Sequence, residues 1–263
     1  MARLAPICSS SKGNSVFIGD SRSGILVDAG CSFKALKNGL ALAGIPFEAV
    51  KLIVVTHEHI DHVKALLQIT KHTRLPIYAS EGTLARLLAD NLVQSDANLY
   101  SVNELESAPA DIAIKYFHTP HDSAESVGYT FSWDEHKAAV CTDLGYVTEE
   151  VRQNLLGCDT VYIEANYEPS MLKANTCYPP YLKARIASDS GHLSNDDSAE
   201  FCAELIDNGA RRLILGHLSQ ENNTPTTAYR AVSNKLGLYH MVCGVDYTLD
   251  VAPVMTDGKY IVI

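Results

Sequence analysis

The sequence predicts a single α/β sandwich. Three observations carry that prediction. Short β-rich runs alternate with helical stretches from one end of the chain to the other. No linker, fixed-period repeat or low-complexity tract interrupts the alternation. The apolar runs that stand out are too short for helices and read as buried strands. The 263 residues are enough to bury a sizeable core, and they are read as one domain spanning residues 1–263. A composition of 46% hydrophobic and 20% charged residues excludes a largely disordered chain. With only 16 Gly and 10 Pro, collagen-like and low-complexity readings fail too.

The elements follow in order. Val16–Ile18 and Gly24–Val27 form a hairpin that turns at Asp20–Ser23. Phe33–Ala43 is a helix by composition, ended by Gly44. Lys51–Val55 is a buried strand, and Val63–Thr70 and Gly82–Asp90 are helices. Ile112–Phe117, Val127–Phe131 and Ala138–Cys141 make a second β-rich block. Thr160–Ile163 and Leu213–Leu215 are further buried strands. Helices are expected over Glu149–Leu156, Pro180–Ala187, Asp196–Asn208 and Thr226–Leu236.

The 31 acidic and 21 basic side chains leave a formal net charge of −10. That balance argues against wholesale non-specific nucleic-acid binding, which uses a basic face. It leaves room for a nuclease, because bound divalent cations supply positive charge locally. No apolar run approaches the roughly 18 residues needed to span a bilayer, so no membrane association is expected. Met1–Lys12 has one Arg and no apolar core, unlike a secretory signal. The seven cysteines are scattered, with no C-x-x-C pair, as suits reduced thiols in a cytoplasmic chain.

The informative segment is Thr56-His57-Glu58-His59-Ile60-Asp61-His62, directly after the Lys51–Val55 strand. Imidazole and carboxylate ligands brought together in this way suit zinc, manganese or iron(II). In an extended stretch residues two apart share a face, so His57 and His59 can grip one metal while Glu58 points away. Asp61 and His62 turn the corner and can serve a second metal. Further candidates sit where strands end: Asp28, His121, Asp143 and His217. Each alone is an ordinary turn residue. Together, in this order, they form a pattern. His118, three positions before His121, is expected to face elsewhere from its strand end.

With those residues on view, the sequence resembles the metallo-β-lactamase-fold hydrolases over nearly its whole length. The resemblance implies an αββα sandwich with two divalent metal ions, zinc, manganese or iron. It implies that His57, His59 and His121 bind the first metal, that Asp61, His62 and His217 bind the second, and that Asp143 bridges both. Asp28 is implied to orient a ligating imidazole rather than to bind metal. Lactamases proper generally carry Cys where Asp143 stands, so the oxygen bridge points away from them. Two ions roughly 3.5–4 Å apart would hold a hydroxide and clamp the oxygens of a phosphodiester. The ligands carry less negative charge than the two cations carry positive charge, so the site would attract an anionic substrate.

Ile163-Glu164-Ala165-Asn166-Tyr167 and Ser190-Gly191-His192-Leu193-Ser194-Asn195 are similar to paired loops of tRNase Z-type nucleases. By that similarity Glu164 orients His192, and His192 protonates the leaving oxygen. The same residues also read as a strand end and a position ahead of a helix. Ser9–Ser15, Ser190–Asn195 and Gly216–Asn223 resemble the YycJ/WalJ family more specifically, which implies 5′-to-3′ exonuclease activity on DNA. Substrate contacts are then expected at Ser11, Lys12, Gly13, Asn14, Ser194, Asn195, Ser219 and Asn222, with the Ser-Lys-Gly-Asn loop cradling a phosphate. Only 21 residues separate His121 from Asp143, and 73 separate Asp143 from His217. Those spans leave little room for a long RNA-gripping insertion or an RNase J-type clamping domain. The leading function is therefore a two-metal nuclease with Asp61 as proton acceptor for the attacking water. A thioester or lactam hydrolase is the alternative, and a non-catalytic binding module comes third.

Overall fold

Strand and helix alternate along the computed structural model, which describes residues 2–107 and 112–263. Met1, the first residue of the N-terminal stretch considered above, lies outside them. The first half of the chain runs β1 (Arg3–Ser10), β2 (Gly13–Gly19), β3 (Gly24–Val27), α1 (Phe33–Leu42), β4 (Val50–Val54), α2 (Ile60–Val63), α3 (Leu66–His72), β5 (Ile77–Ala79), α4 (Glu81–Ala89) and β6 (Leu99–Ser101). The second half begins β7 (Ala113–His118), β8 (Val127–Trp133), β9 (His136–Cys141), α5 (Glu149–Leu155), β10 (Thr160–Glu164), α6 (Pro169–Ala174) and α7 (Pro180–Ile186). It continues α8 (Asn195–Asp207), β11 (Arg212–Gly216), α9 (Pro225–Leu238), β12 (Thr248–Val251) and β13 (Ile261–Val262).

Two mixed sheets result, in the orders β13-β1-β2-β3-β4-β5-β6 and β12-β11-β10-β9-β8-β7. Each is part antiparallel and part parallel. In the first, β3 through β6 run parallel, and in the second β9 through β12 do. Alternation along the strands explains their apolar runs. Ile25, Val27, Leu52 and Val54 face Val140, Tyr162 and Ile214 in a core between the sheets. Their neighbours Leu26, Ile53 and Val55 pack under residues of α1 and α3. Val161, Ile163, Leu213 and Leu215 pack likewise under α5, α8 and α9. Strands covered on both faces carry no polar alternation. The layers are helix, sheet, sheet, helix, which is the expected αββα sandwich.

Helix boundaries follow local chemistry. Ser32, Ser80, Thr148, Ser194 and Thr224 each accept a backbone N–H at the start of a helix. Gly44, at φ +67°, takes the left-handed conformation that ends α1.

Two sequence expectations are corrected, and one stretch with no predicted element is a strand. The helix expected over Val63–Thr70 is two short helices, because Ala65 N–H donates to Ala29 O at 2.8 Å instead of continuing the α2 ladder. The N-terminal stretch, to which the sequence assigns no element, is strand β1, almost wholly buried. The Ser-Lys-Gly-Asn segment is no open loop. Ser10 pairs with Gly13, so only Ser11 and Lys12 turn at the surface, and Gly13 and Asn14 are buried in β2. Cys8, Cys31, Cys141, Cys158 and Cys202 are buried free thiols, and Cys177 and Cys243 are exposed ones. Among the described residues, no helix is long and apolar enough to cross a membrane.

Candidate metal centre

Six strands deliver the site from their C-terminal ends. Asp28 follows β3, His57 to His62 follow β4, His121 follows β7, Asp143 follows β9, Glu164 ends β10 and His217 follows β11. Crevices at the carboxyl ends of strands are where open α/β sheets place ligands. Asp28, Asp143 and His217 all have left-handed backbones, with φ of 60°, 59° and 56°. Such conformations are held only where surrounding structure over-determines them, and here they turn each side chain back into the crevice.

The crevice is pinned by close backbone approaches. Ala29 N–H donates to His62 O at 2.7 Å, and a Cβ on Gly30 would stand 1.6 Å from the Asp61 carbonyl oxygen. Only glycine permits that approach. On the other side, Ser9 Oγ accepts from His217 N–H at 2.8 Å and from the Tyr162 hydroxyl at 2.6 Å.

Ligand-bearing atoms converge in overlapping sets. One nitrogen each from His57, His59 and His121 lie within 4.8 Å of one another, as do donor atoms of Asp61, His62 and His217. Asp143 stands between them, with Oδ2 3.3 Å from His62 Nε2 and Oδ1 3.6 Å from His121 Nε2 and 3.5 Å from His217 Nδ1. Second partners fix which nitrogen faces inward. His121 Nδ1 donates to Gly191 O at 3.0 Å. His62 Nδ1 lies 2.7 Å from Asp28 Oδ2, and Asp28 also accepts from the Thr56 backbone and hydroxyl. Carboxylate and carbonyl partners of this kind orient metal-binding imidazoles.

The electrostatics match a cation site. Burial and the neighbouring imidazoles push His57 well below the ordinary histidine range, leaving it neutral with a lone pair. Its Nε2 and Asp143 Oδ2 are buried acceptors without a hydrogen-bond partner, as atoms reserved for a metal would be. Burial opposes protonation of His62, but Asp143, Asp28 and Asp61 raise it well above the ordinary range. His217 is raised to about 10, against burial, by Asp143, Asp61 and Glu164. A divalent ion would displace those protons. Burial works to raise Asp61, yet His62 and His217 hold its carboxyl far below the usual range. The donors present therefore fit divalent metal binding.

Glu164 is fully buried and spends both oxygens. Oε2 accepts from Leu144 and Leu193 N–H, each at 3.1 Å. Oε1 lies 2.9 Å from His192 Nδ1 and 2.6 Å from His217 Nδ1. His192 borders the cluster, its ring centroid 5.2 Å from that of His121. His118 faces away, between Glu125 and Glu150.

The segments expected to contact substrate are placed differently. Ser194 caps α8, and Asn195 is buried against Glu168 and Asn223. Ser219 closes a turn onto Glu221 and Asn222, and Asn222 Oδ1 accepts from Asn175. These four side chains are committed to internal contacts rather than to a free surface. Ser11 and Lys12 are exposed at the hairpin tip. Sequence reasoning gave no role to Thr56, Ser9 or Asn166, although each lies in a segment it singled out; Asn166 Nδ2 donates to His217 O at 2.8 Å. Thr56 heads the histidine motif and its role was open to notice, whereas nothing local in the Ser9–Ser15 segment shows that Ser9 meets His217.

Fold and cluster define a class. The description "Beta-lactamase superfamily domain" matches residues 24–218, and the chain belongs to the metallo-β-lactamase superfamily. Within it, the chain belongs with the YycJ/WalJ proteins. It is 34% identical over 232 residues to exodeoxyribonuclease YycJ of Bacillus anthracis, covering 88% of this chain and 87% of the relative. It is 32% identical over 252 residues to exodeoxyribonuclease WalJ of Streptococcus pneumoniae, covering 94% and 93%. Among solved structures, the metallo-β-lactamase fold protein YhfI of Bacillus subtilis matches 97% of this chain and 98% of its own, at a TM-score of 0.72 and 14% identity. The chain is a metal-dependent hydrolase of nuclease type.

Proposed function

We propose that this chain, working as one domain, is a DNA exonuclease that hydrolyses phosphodiester bonds at a centre of two divalent ions, zinc, manganese or iron. The observation that carries the reading is the placement of His192, on Glu164, at the rim of the His/Asp cluster, in a chain this similar to two exodeoxyribonucleases. His57, His59 and His121 would hold the first ion and Asp61, His62 and His217 the second, with Asp143 shared. When bound, the ions supply Lewis acidity and charge neutralisation at the phosphate.

The chain's own residues do the rest. Asp28 and Glu164 fix the rings of His62 and His217 through Nδ1. Asp61, with Oδ2 turned to His217 Nε2 at 3.4 Å, has Oδ1 left to accept the proton of the attacking water. His192, steadied by Glu164, donates a proton to the leaving oxygen. The test is incubation of metal-loaded protein with end-labelled single- and double-stranded DNA and RNA. Stepwise shortening of DNA supports the reading. Cleavage of thioesters with none of nucleic acid would replace it with the acyl-hydrolase alternative.

A further inference from the structure

Asn14 touches the cluster without belonging to either proposed ligand set. It lies buried on β2, and Ser10 holds its carboxamide at both ends. Oδ1 accepts from Ser10 N–H at 3.1 Å, and Nδ2 donates to Ser10 O at 2.9 Å. A flipped amide would set oxygen against carbonyl and nitrogen against N–H, so Ser10 fixes which end is which. The second Nδ2 hydrogen then points into the cluster, where Nδ2 lies 3.3 Å from Asp61 Oδ2 and 3.1 Å from His62 Nε2. His62 spends Nδ1 on Asp28, so Nε2 is its metal-facing nitrogen. With that lone pair engaged, Asp61 Oδ2 is the acceptor that remains. The Asn14 main chain is anchored to the same region, since its carbonyl accepts from Gly30 N–H at 2.8 Å and Gly30 packs on the Asp61 backbone.

We propose that Asn14 is a positioning residue for Asp61. The terminal torsion of an aspartate is broad and nearly two-fold, so nothing intrinsic distinguishes its two oxygens. Donation from Asn14 to Oδ2 makes them different: Oδ2 is held toward His62 and His217, and Oδ1 is left for water. A neutral amide does this without adding positive charge, which a Lys or Arg donor would bring into repulsion with a metal. The inference rests on the proposed role of Asp61.

The test compares Asn14→Ala and Asn14→Leu with the wild-type chain by zinc titration calorimetry and by the cobalt(II) absorption spectrum. Both variants should bind the first ion normally and the second about 10–100-fold more weakly. The fall in turnover should lie in kcat, with KM little changed. Leu fills the volume without donating, so rescue by Leu would assign Asn14 a packing role and overturn the proposal. In an Asp61→Asn background, Asn14→Ala should weaken the second ion no further, whereas losses that simply add would overturn it. The wild-type fold supplies a readout that needs no Asn14 variant. The side-chain amide resonances of Asn14 should exchange slowly and move when Asp61 becomes Asn, and unmoved resonances would overturn the proposal. The titrations and spectra report on Asn14 whether or not any nucleic acid is cut, so failure of the nuclease reading shows only in cleavage assays.

Discussion

Glu164 Oε1 lies 2.6 Å from His217 Nδ1, and that same oxygen also lies 2.9 Å from His192 Nδ1. One carboxylate oxygen thus serves a ring inside the cluster and a ring at its edge. Substitutions at Glu164 and His192 should therefore have different signatures.

His192→Ala should keep its metals and lose turnover by about 10²–10⁴-fold, the range for a missing general acid. Glu164→Gln should lose turnover and also bind the second ion about 10–100-fold more weakly, because the His217 ring loses its anchor. Metal content and kcat measured on the same preparations separate the two. Metal loss from His192→Ala would make His192 a ligand.

Asp61→Asn keeps the size of the side chain but removes its charge and most of its basicity. Cleavage should be nearly abolished and the second ion weakened, with the circular dichroism spectrum unchanged. Near-wild-type cleavage would show that the nuclease centre lies elsewhere.

Gly30→Ala would force a Cβ to within 1.6 Å of a backbone oxygen, which no rotamer change relieves. A loss of about 3 kcal/mol or more is expected, or roughly 6–12 °C in Tm for a chain of this size. Gly237 in α9 has nothing within 4 Å of a built Cβ. Gly237→Ala should instead stabilise by about 0.5–1 kcal/mol, as removal of a helical glycine does. Paired thermal melts check both signs.

Stripping the metals should make stability more sensitive to alkaline pH. In metal-free protein His217 is raised from an ordinary 6.5 to about 10. A raised histidine contributes stability that is full below the unfolded value and fades as pH climbs through the folded one. Chelator-treated protein should therefore lose Tm between pH 7 and pH 10. Reloaded protein should lose less, since the ion replaces the proton. Equal slopes for the two would show that metal does not reach His217.

Much of this was legible in the sequence because its signals are local. Gly44 marks the end of α1, and Asp143 and His217 follow unmistakable apolar strands. The histidine run after β4 marks the site within six residues. What escaped depends on contacts distant in sequence. Ser9 meets His217 across 208 positions. Ala29 divides an otherwise continuous helical pattern by taking the N–H of Ala65. Asn195 and Ser219 look polar and available as text, yet the chain folds their partners over them. The short strands β5, β6 and β13, of two or three residues each, carry too little pattern to be read alone.

The order of the cluster along the chain has a consequence for assembly at the ribosome. His57, His59, Asp61 and His62 belong to the first sheet and emerge early, whereas His121, Asp143 and His217 come from the second. The nascent chain cannot complete the first histidine trio before His121 is made, nor the Asp61, His62 and His217 group before His217 is. Ion capture would then close folding rather than nucleate it, so a shortage of metal should yield folded, empty chains that await filling instead of unfolded ones.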